Sequence, residues 1–177
     1  MQRPDFLHPA YLAVGNAKQQ EVYAVLKQFE VFEKLSAFTP VLAGTFPIEI
    51  DIESSDLDII CCFEEEQTFT TQLIQAFSHL EGFEIRHKTM GGLASVVARV
   101  RMKHYDVEFF GQPIPVAQQN AYRHLLIEYR LLQAHGPAFK TKIIELKRAG
   151  YKTEPAFAVA LGLDLTDPYA ALLALEH

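Results

Sequence analysis

The chain has 177 residues, 49% of them hydrophobic, and a formal net charge of −6. That length and composition suit one ordinary domain with a substantial core and exclude disorder. No apolar run approaches the ~18–20 residues of a membrane span, and an acidic chain is a poor match for non-specific nucleic-acid binding.

The charge is unevenly distributed. Residues 35–85 hold ten Asp and Glu and not one Lys or Arg, whereas residues 86–152 hold twelve of the sixteen Lys and Arg and only four acids. Such asymmetry can set a cation-binding patch beside an anion-binding one, which suits a metal–polyphosphate ligand. Met1 to Asp5 lacks the apolar segment of a secretory signal. The neighbouring Cys61 and Cys62 have no metal-ligand spacing and read as reduced thiols of a cytoplasmic protein. The seven histidines are scattered without zinc-ligand spacing. The tail Leu175-Glu176-His177 carries no functional weight.

In chain order, Asn16 predicts the cap of a helix through Phe29, with a short second helix before Pro40. Thr39 to Ala43 reads as a buried strand ended by Gly44-Thr45. Between there and Asp56, Ile48, Ile50 and Ile52 alternate with Glu49, Asp51 and Glu53, and period two predicts an extended ribbon with an acidic face. Asp56 to Phe63 is a second core strand. Glu64-Glu65-Glu66 opens a helix to about Leu80 that buries Phe69, Leu73, Phe77 and Leu80. Two strands, Phe83–Thr89 and Leu93–Met102, flank the turn at Met90-Gly91-Gly92. Leu93–Met102 and Tyr105–Phe110 make a hairpin around Lys103-His104. A two-residue loop there sets Arg101 opposite Asp106 and Arg99 opposite Glu108, all on one face. Gly111 to Pro115 ends the sheet. Helices follow at 117–134, 138–149, about 154–162 and 167–175, with a break at Gly136-Pro137. The first buries Tyr122, Leu125, Leu126, Tyr129 and Leu132, and leaves Gln119, Arg123 and Arg130 on a solvated face. The whole reads as a single domain: N-terminal helices over 1–38, an α/β core over 39–115 and a helical segment over 116–177.

Chemistry concentrates in the second strand. Asp56 and Asp58 are two apart and share one face, while Leu57, Ile59, Cys61 and Phe63 share the other, wholly apolar face. Two carboxylates on one strand and a third on a neighbour can hold Mg²⁺ with its preference for oxygen ligands. The third acid is Glu108 or Asp106, which have the same parity. Gly44, with no Cβ, lets backbone approach a phosphate, and the Thr45 hydroxyl can add a contact. The plainer reading of the hairpin charges is two cross-strand ion pairs, worth under about 1 kcal/mol each. The functional one makes Arg99 or Arg101 a phosphate ligand.

Ala43-Gly44-Thr45, Ser55-Asp56-Leu57-Asp58-Ile59 and Val107-Glu108-Phe109 together resemble the nucleotidyltransferase superfamily, the polymerase-beta-like fold, over residues 39–110. Gln118 to His124 and Lys152 to Phe157 are similar to a small bacterial family of unknown function placed near it. The superfamily resemblance implies an α+β fold: a mixed sheet flanked by helices, with a C-terminal helical segment. It also implies Mg²⁺ as cofactor and a nucleoside triphosphate as donor. It maps Asp56, Asp58 and Glu108 onto the metal-binding and catalytic acids, and Gly44, Thr45 and Ser55 onto the cofactor-binding positions. The expected reaction moves a nucleoside monophosphate to a small-molecule or protein hydroxyl; the alternative is an inactive nucleotide-sensing or protein-interaction relative. Against the superfamily pattern, Thr45 stands for Ser or Gly and Glu108 for the commoner Asp. The acidic connector stands where active members carry a short helix with small or basic residues.

Overall fold

The computed structural model describes residues 4–176. Met1 to Arg3 and His177, which the sequence reading touched on, lie outside that range. The chain forms two compact units. One comprises the chain up to Ala43 together with Asp56–Gln119; the other comprises Gly44–Ser55 and the chain from Asn120 onward.

The first unit begins with helix α1 (Ala17–Gln28). Asn16 Oδ1 accepts the Gln19 amide at 2.9 Å and Gln19 Oε1 accepts the Asn16 amide at 3.1 Å, a reciprocal cap that satisfies two end donors. Helix α2 (Val31–Lys34) follows the break at Glu30. The sheet has five strands: β1 (Val41–Ala43), β2 (Leu57–Cys62), β3 (Glu84–Met90), β4 (Leu93–Met102) and β5 (Tyr105–Gln112). Their order is β1-β2-β5-β4-β3, with β2 and β5 parallel and every other pair antiparallel. The fold is thus α+β, with a mixed sheet flanked by helices and a C-terminal helical part.

Alternation decides the faces. Leu57, Ile59, Cys61, Ala98, Val107 and Phe109 are almost fully buried on one side. Helix α3 (Glu66–Phe77) covers that side, stacking Phe77 on Phe109 with ring centroids 4.7 Å apart. It stops at Phe77, short of the expected Leu80, which is only half-buried. The sheet runs further than expected, because β5 continues through Gly111 to Gln112. Gly111 is required there: a Cβ would lie 2.3 Å from Phe69 Cε1. The hairpin forms as expected around Lys103-His104, with Met102 opposite Tyr105.

In the second unit, α4 (Asn120–Arg148) bends at Gly136, whose φ of 75° interrupts the helix before Pro137. Helices α5 (Thr153–Leu161) and α6 (Pro168–Leu173) complete it. The buried stripe of α4 includes Tyr122, Leu125 and Leu132 as expected; Leu126 and Tyr129 are only half-buried, and Ile127 lies inside. Among the described residues no helix is long and apolar enough to cross a membrane.

The connector between β1 and β2 corrects the sequence reading. It is not an extended ribbon: Phe46–Ile48 form a 3-10 turn with Pro47 in its first positions, and Glu49 takes a left-handed φ of 59°. Proline fixes a helical φ, and burial of Phe46, Ile48 and Ile50 folds the segment inward. The period-two alternation came from packing a turn rather than a strand.

Candidate functional site

In the first unit, the sheet face opposite α3 carries a transverse row of charged residues. The register sets Asp58 of β2 beside Glu108 of β5, Glu108 beside Arg99 of β4, and Arg99 beside Glu84 of β3. Adjacent strands are ~4.8 Å apart, so each member of the row is within side-chain reach of the next. Asp56 lies two residues before Asp58 and is exposed, whereas Asp58 and Glu108 are half-buried. Parity alone left the third acid open. The register puts Glu108 beside Asp58, with Asp106 two residues earlier along β5 and paired to Arg101 at 3.0 Å.

Arg99 dominates the electrostatics of this face. Its Nε donates to Glu108 Oε2 at 2.8 Å and its Nη2 lies 2.7 Å from the same oxygen. The Glu108 hydrogen bond, then the charges of Glu108, Asp56 and Glu84, hold the Arg99 guanidinium above its ordinary value despite slight desolvation. The arginine feels three carboxylates at once. Three oxygen-donor side chains on one face fit a hard cation such as Mg²⁺ in chemistry. They are not gathered for it: among the described residues no group of three or more His, Cys, Asp or Glu side chains is arranged to hold a metal ion.

The other candidate residues lie in the second unit. Gly44 has a φ of 70°, a left-handed conformation that favours glycine. Thr45 is buried and its carbonyl accepts the Ile50 amide at 3.2 Å. Ser55 closes a turn, its Oγ accepting the Ile52 amide at 2.9 Å while its own amide donates to the Ile52 carbonyl. That gives the serine a local structural task.

The acids of this connector have partners within the same unit. Lys140 Nζ lies 2.6 Å from Glu49 Oε2, and Arg148 Nη2 lies 2.9 Å from Glu53 Oε1. A backbone hydrogen bond, and then Arg148, hold the Glu53 carboxyl below its usual value. Lys147, almost fully buried, donates to the Ile50 carbonyl at 2.8 Å. These cations offset the negative charge of the connector.

Sequence reasoning missed a buried polar group in the second unit. Glu128 is wholly enclosed, and burial first, then the nearby charge of Glu154, pushes its carboxyl well above the ordinary value, with Lys147 opposing. One turn earlier, His124 Nε2 meets the Tyr169 carbonyl at 3.1 Å and Nδ1 lies 3.4 Å from Glu154. The signal was present: His124 and Glu128 are four apart, beside the apolar stripe of the same helix. Gln119 and the two arginines also differ from expectation. Gln119 is buried in the first unit and donates to the Cys61 carbonyl at 2.8 Å. Arg123 binds Glu176 through Nε at 2.9 Å, and Arg130 bonds the Leu175 carbonyl. Cys61 is an inert core thiol, raised by burial and by its neighbour Cys62.

The fold of the chain is nucleotidyltransferase-like. Among solved structures, the chain is similar to Cid1 poly(U) polymerase with MgGTP bound, at 14% identity and TM-score 0.53, covering 72% of this chain and 41% of that one. A Cid1 structure described through its RNA terminal uridylyl transferase activity gives 14% identity and TM-score 0.54, covering 75% and 41%. The likeness is one of fold, and the chain spans well under half the length of these structures. No curated protein matches the sequence. The chain belongs to the family described as a domain of unknown function (DUF4269), whose model matches residues 24–175.

Proposed function

We propose that this chain is a Mg²⁺-dependent nucleotidyltransferase of the bacterial cytoplasm, moving a nucleoside monophosphate from a triphosphate to a small-molecule or protein hydroxyl. The observation that carries this reading is the register of Asp58 beside Glu108, with Asp56 on the same face, in a sheet of nucleotidyltransferase type. In it, Asp56 and Asp58 are the principal metal ligands and Glu108 the third acid. A divalent ion bound there would neutralise phosphate charge and stabilise an in-line displacement. The roles of Gly44 and Thr45 as phosphate contacts, and of Ser55 beside them, belong to the same proposal and rest on sequence spacing.

Nucleic acid is the less favoured acceptor. The chain carries a formal net charge of −6, a poor match for a nucleic-acid backbone. The test is isothermal titration of Mg²⁺ with ATP, GTP or UTP into wild type and the double variant Asp56→Asn/Asp58→Asn. Binding lost in the variant supports the assignment, and equal binding by both proteins overturns it. Transfer of an α-labelled nucleotide onto RNA, with none onto small-molecule or protein acceptors, would replace the acceptor class.

One observation favours the non-catalytic alternative. Glu108 is engaged by Arg99, as in a settled cross-strand ion pair. That reading expects no transfer from α-labelled triphosphates to any acceptor, even where nucleotide binds.

A further inference from the structure

Helix α6 is fastened to α4 and α5 by polar contacts inside the second unit. Past its C-terminus, Arg123 Nε donates to Glu176 Oε1 at 2.9 Å and Arg130 bonds the Leu175 carbonyl. In its first turn the Tyr169 carbonyl lies 3.1 Å from His124 Nε2, and His124 Nδ1 lies 3.4 Å from Glu154 Oε1 on α5. This second fastening is enclosed: the His124 and Glu154 side chains are only 6% and 21% exposed. Leu172 of α6 is fully buried, so docking of this helix closes part of the apolar core.

The two oxygens facing His124 decide where its protons sit. A carbonyl oxygen only accepts, so Nε2 carries a hydrogen. A neutral imidazole has a single N–H, and its Nδ1 would then turn a lone pair toward the Glu154 carboxylate. Acceptor against acceptor in an enclosed site is repulsive. One more proton removes the clash, and an imidazole nitrogen is more basic than a carboxylate oxygen. No neighbour replaces that proton. The Glu154 charge is felt by Glu128 on α4 and by the Tyr169 phenol on α6, and burial first, then that charge, pushes both groups up. Asp167, before α6, adds to the negative side at Tyr169, and Lys147, the cation opposing it at Glu128, donates to the Ile50 carbonyl.

We propose that His124 and Glu154 form a proton-dependent latch for α6, in which the His124 imidazolium bridges the Tyr169 carbonyl and the Glu154 carboxylate. Docking of α6 is full while His124 holds its second proton and weakens as pH rises and that proton leaves. Arg123 and Arg130 keep their charge throughout, so the outer fastening stays constant and the release is confined to the inner one. The latch is independent of metal and of the sheet face.

The experiment uses the full chain as wild type, E154Q and E128Q, with folding checked by circular dichroism. Amide hydrogen exchange in α6, corrected for the intrinsic effect of pH, reports the docking equilibrium. Between about pH 6 and about pH 8.5, wild-type protection in α6 is expected to fall tenfold or more. In E154Q the amide can donate to a neutral Nδ1, and protection is expected to change by under about threefold over the same range. E128Q, which removes the other enclosed acid, is expected to keep the wild-type slope. Nitrogen-15 spectra of the wild-type histidine rings are expected to show both His124 nitrogens protonated at about pH 6. A flat wild-type profile, or equal slopes in wild type and E154Q, overturns the proposal. A slope lost in E128Q assigns the proton to Glu128 and overturns it as well. A neutral His124 ring at the lower pH does the same, and this measurement stands even where a variant does not fold.

Discussion

The two units treat carboxylates in opposite ways. In the second, Glu49 and Glu53 are matched by Lys140 and Arg148, and Glu128 is sealed inside beside Lys147. In the first, Asp56, Asp58, Glu108 and Glu84 share one face, where Arg99 pairs with Glu108 and Arg86 with Glu84. One set of acids is structural, each answered by a cation or by burial. The other set sits on an open sheet face, where such pairs are screened by solvent and weak. Acidic composition in the sequence therefore has two different meanings within twenty residues, and only the partners distinguish them.

Substitutions can break or sharpen that contrast. The largest expected effect is on the buried cation: Lys147→Met leaves the Ile50 carbonyl without its donor and should cost about 1.5–3 kcal/mol in denaturant unfolding. Metal affinity of the isolated sheet face should not follow this loss in proportion; if it does, the structural set and the ligand set are not separable. A comparable loss, about 1–3 kcal/mol, is expected for Gly111→Ala, because the new methyl meets the Phe69 ring. Thermal unfolding followed by near-ultraviolet dichroism reports it, and an unchanged midpoint would show that α3 can shift freely.

Asp58→Asn should act the other way round. The Mg²⁺-triphosphate affinity should fall about tenfold or more, equivalent to ~1.4 kcal/mol, while the unfolding midpoint stays near wild type because the side chain is only half-buried. Smaller still, Arg101→Gln removes a well-exposed pair and should change stability by under about 1 kcal/mol. A larger loss would mean that its bond to the His104 carbonyl fixes the hairpin turn.

Glu128 gives a test by direction alone. Its folded-state carboxyl titrates above the ordinary glutamate value of 4.5, so between these two points the unfolded chain has released a proton that the native one keeps. Stability from this group is thus full below the unfolded value and falls as pH rises toward the folded value. Glu128→Gln should flatten that part of the profile, gaining most on wild type at the upper end and least near pH 4. Parallel profiles for the two proteins, measured by urea unfolding across this range, would contradict enclosure of a neutral carboxyl.

How much of this was legible in the sequence differs by element. Asn16 and Gln19 announced their helix because a cap is a local contact. Arg99 opposite Glu108 followed from counting back along a hairpin of known loop length, since a two-residue turn leaves one register. The third acid beside Asp58 was narrowed to two residues of one parity, Glu108 and Asp106, but not resolved. It depends on a parallel register between strands separated by a helix and a hairpin, which no local turn dictates. The connector was misread because alternating isoleucines look the same whether they line a strand or fill a folded turn.

By itself, then, the sequence determined what short-range covalent geometry and periodicity can enforce: the caps, the strand faces, the hairpin and the grouping of Asp56 with Asp58. The tertiary structure decided which charges meet. Lys140, Lys147 and Arg148 reach Glu49, Ile50 and Glu53 across 91 to 97 residues of chain. Contacts at that separation are set by how whole elements pack, and a residue's neighbours in sequence carry no record of them.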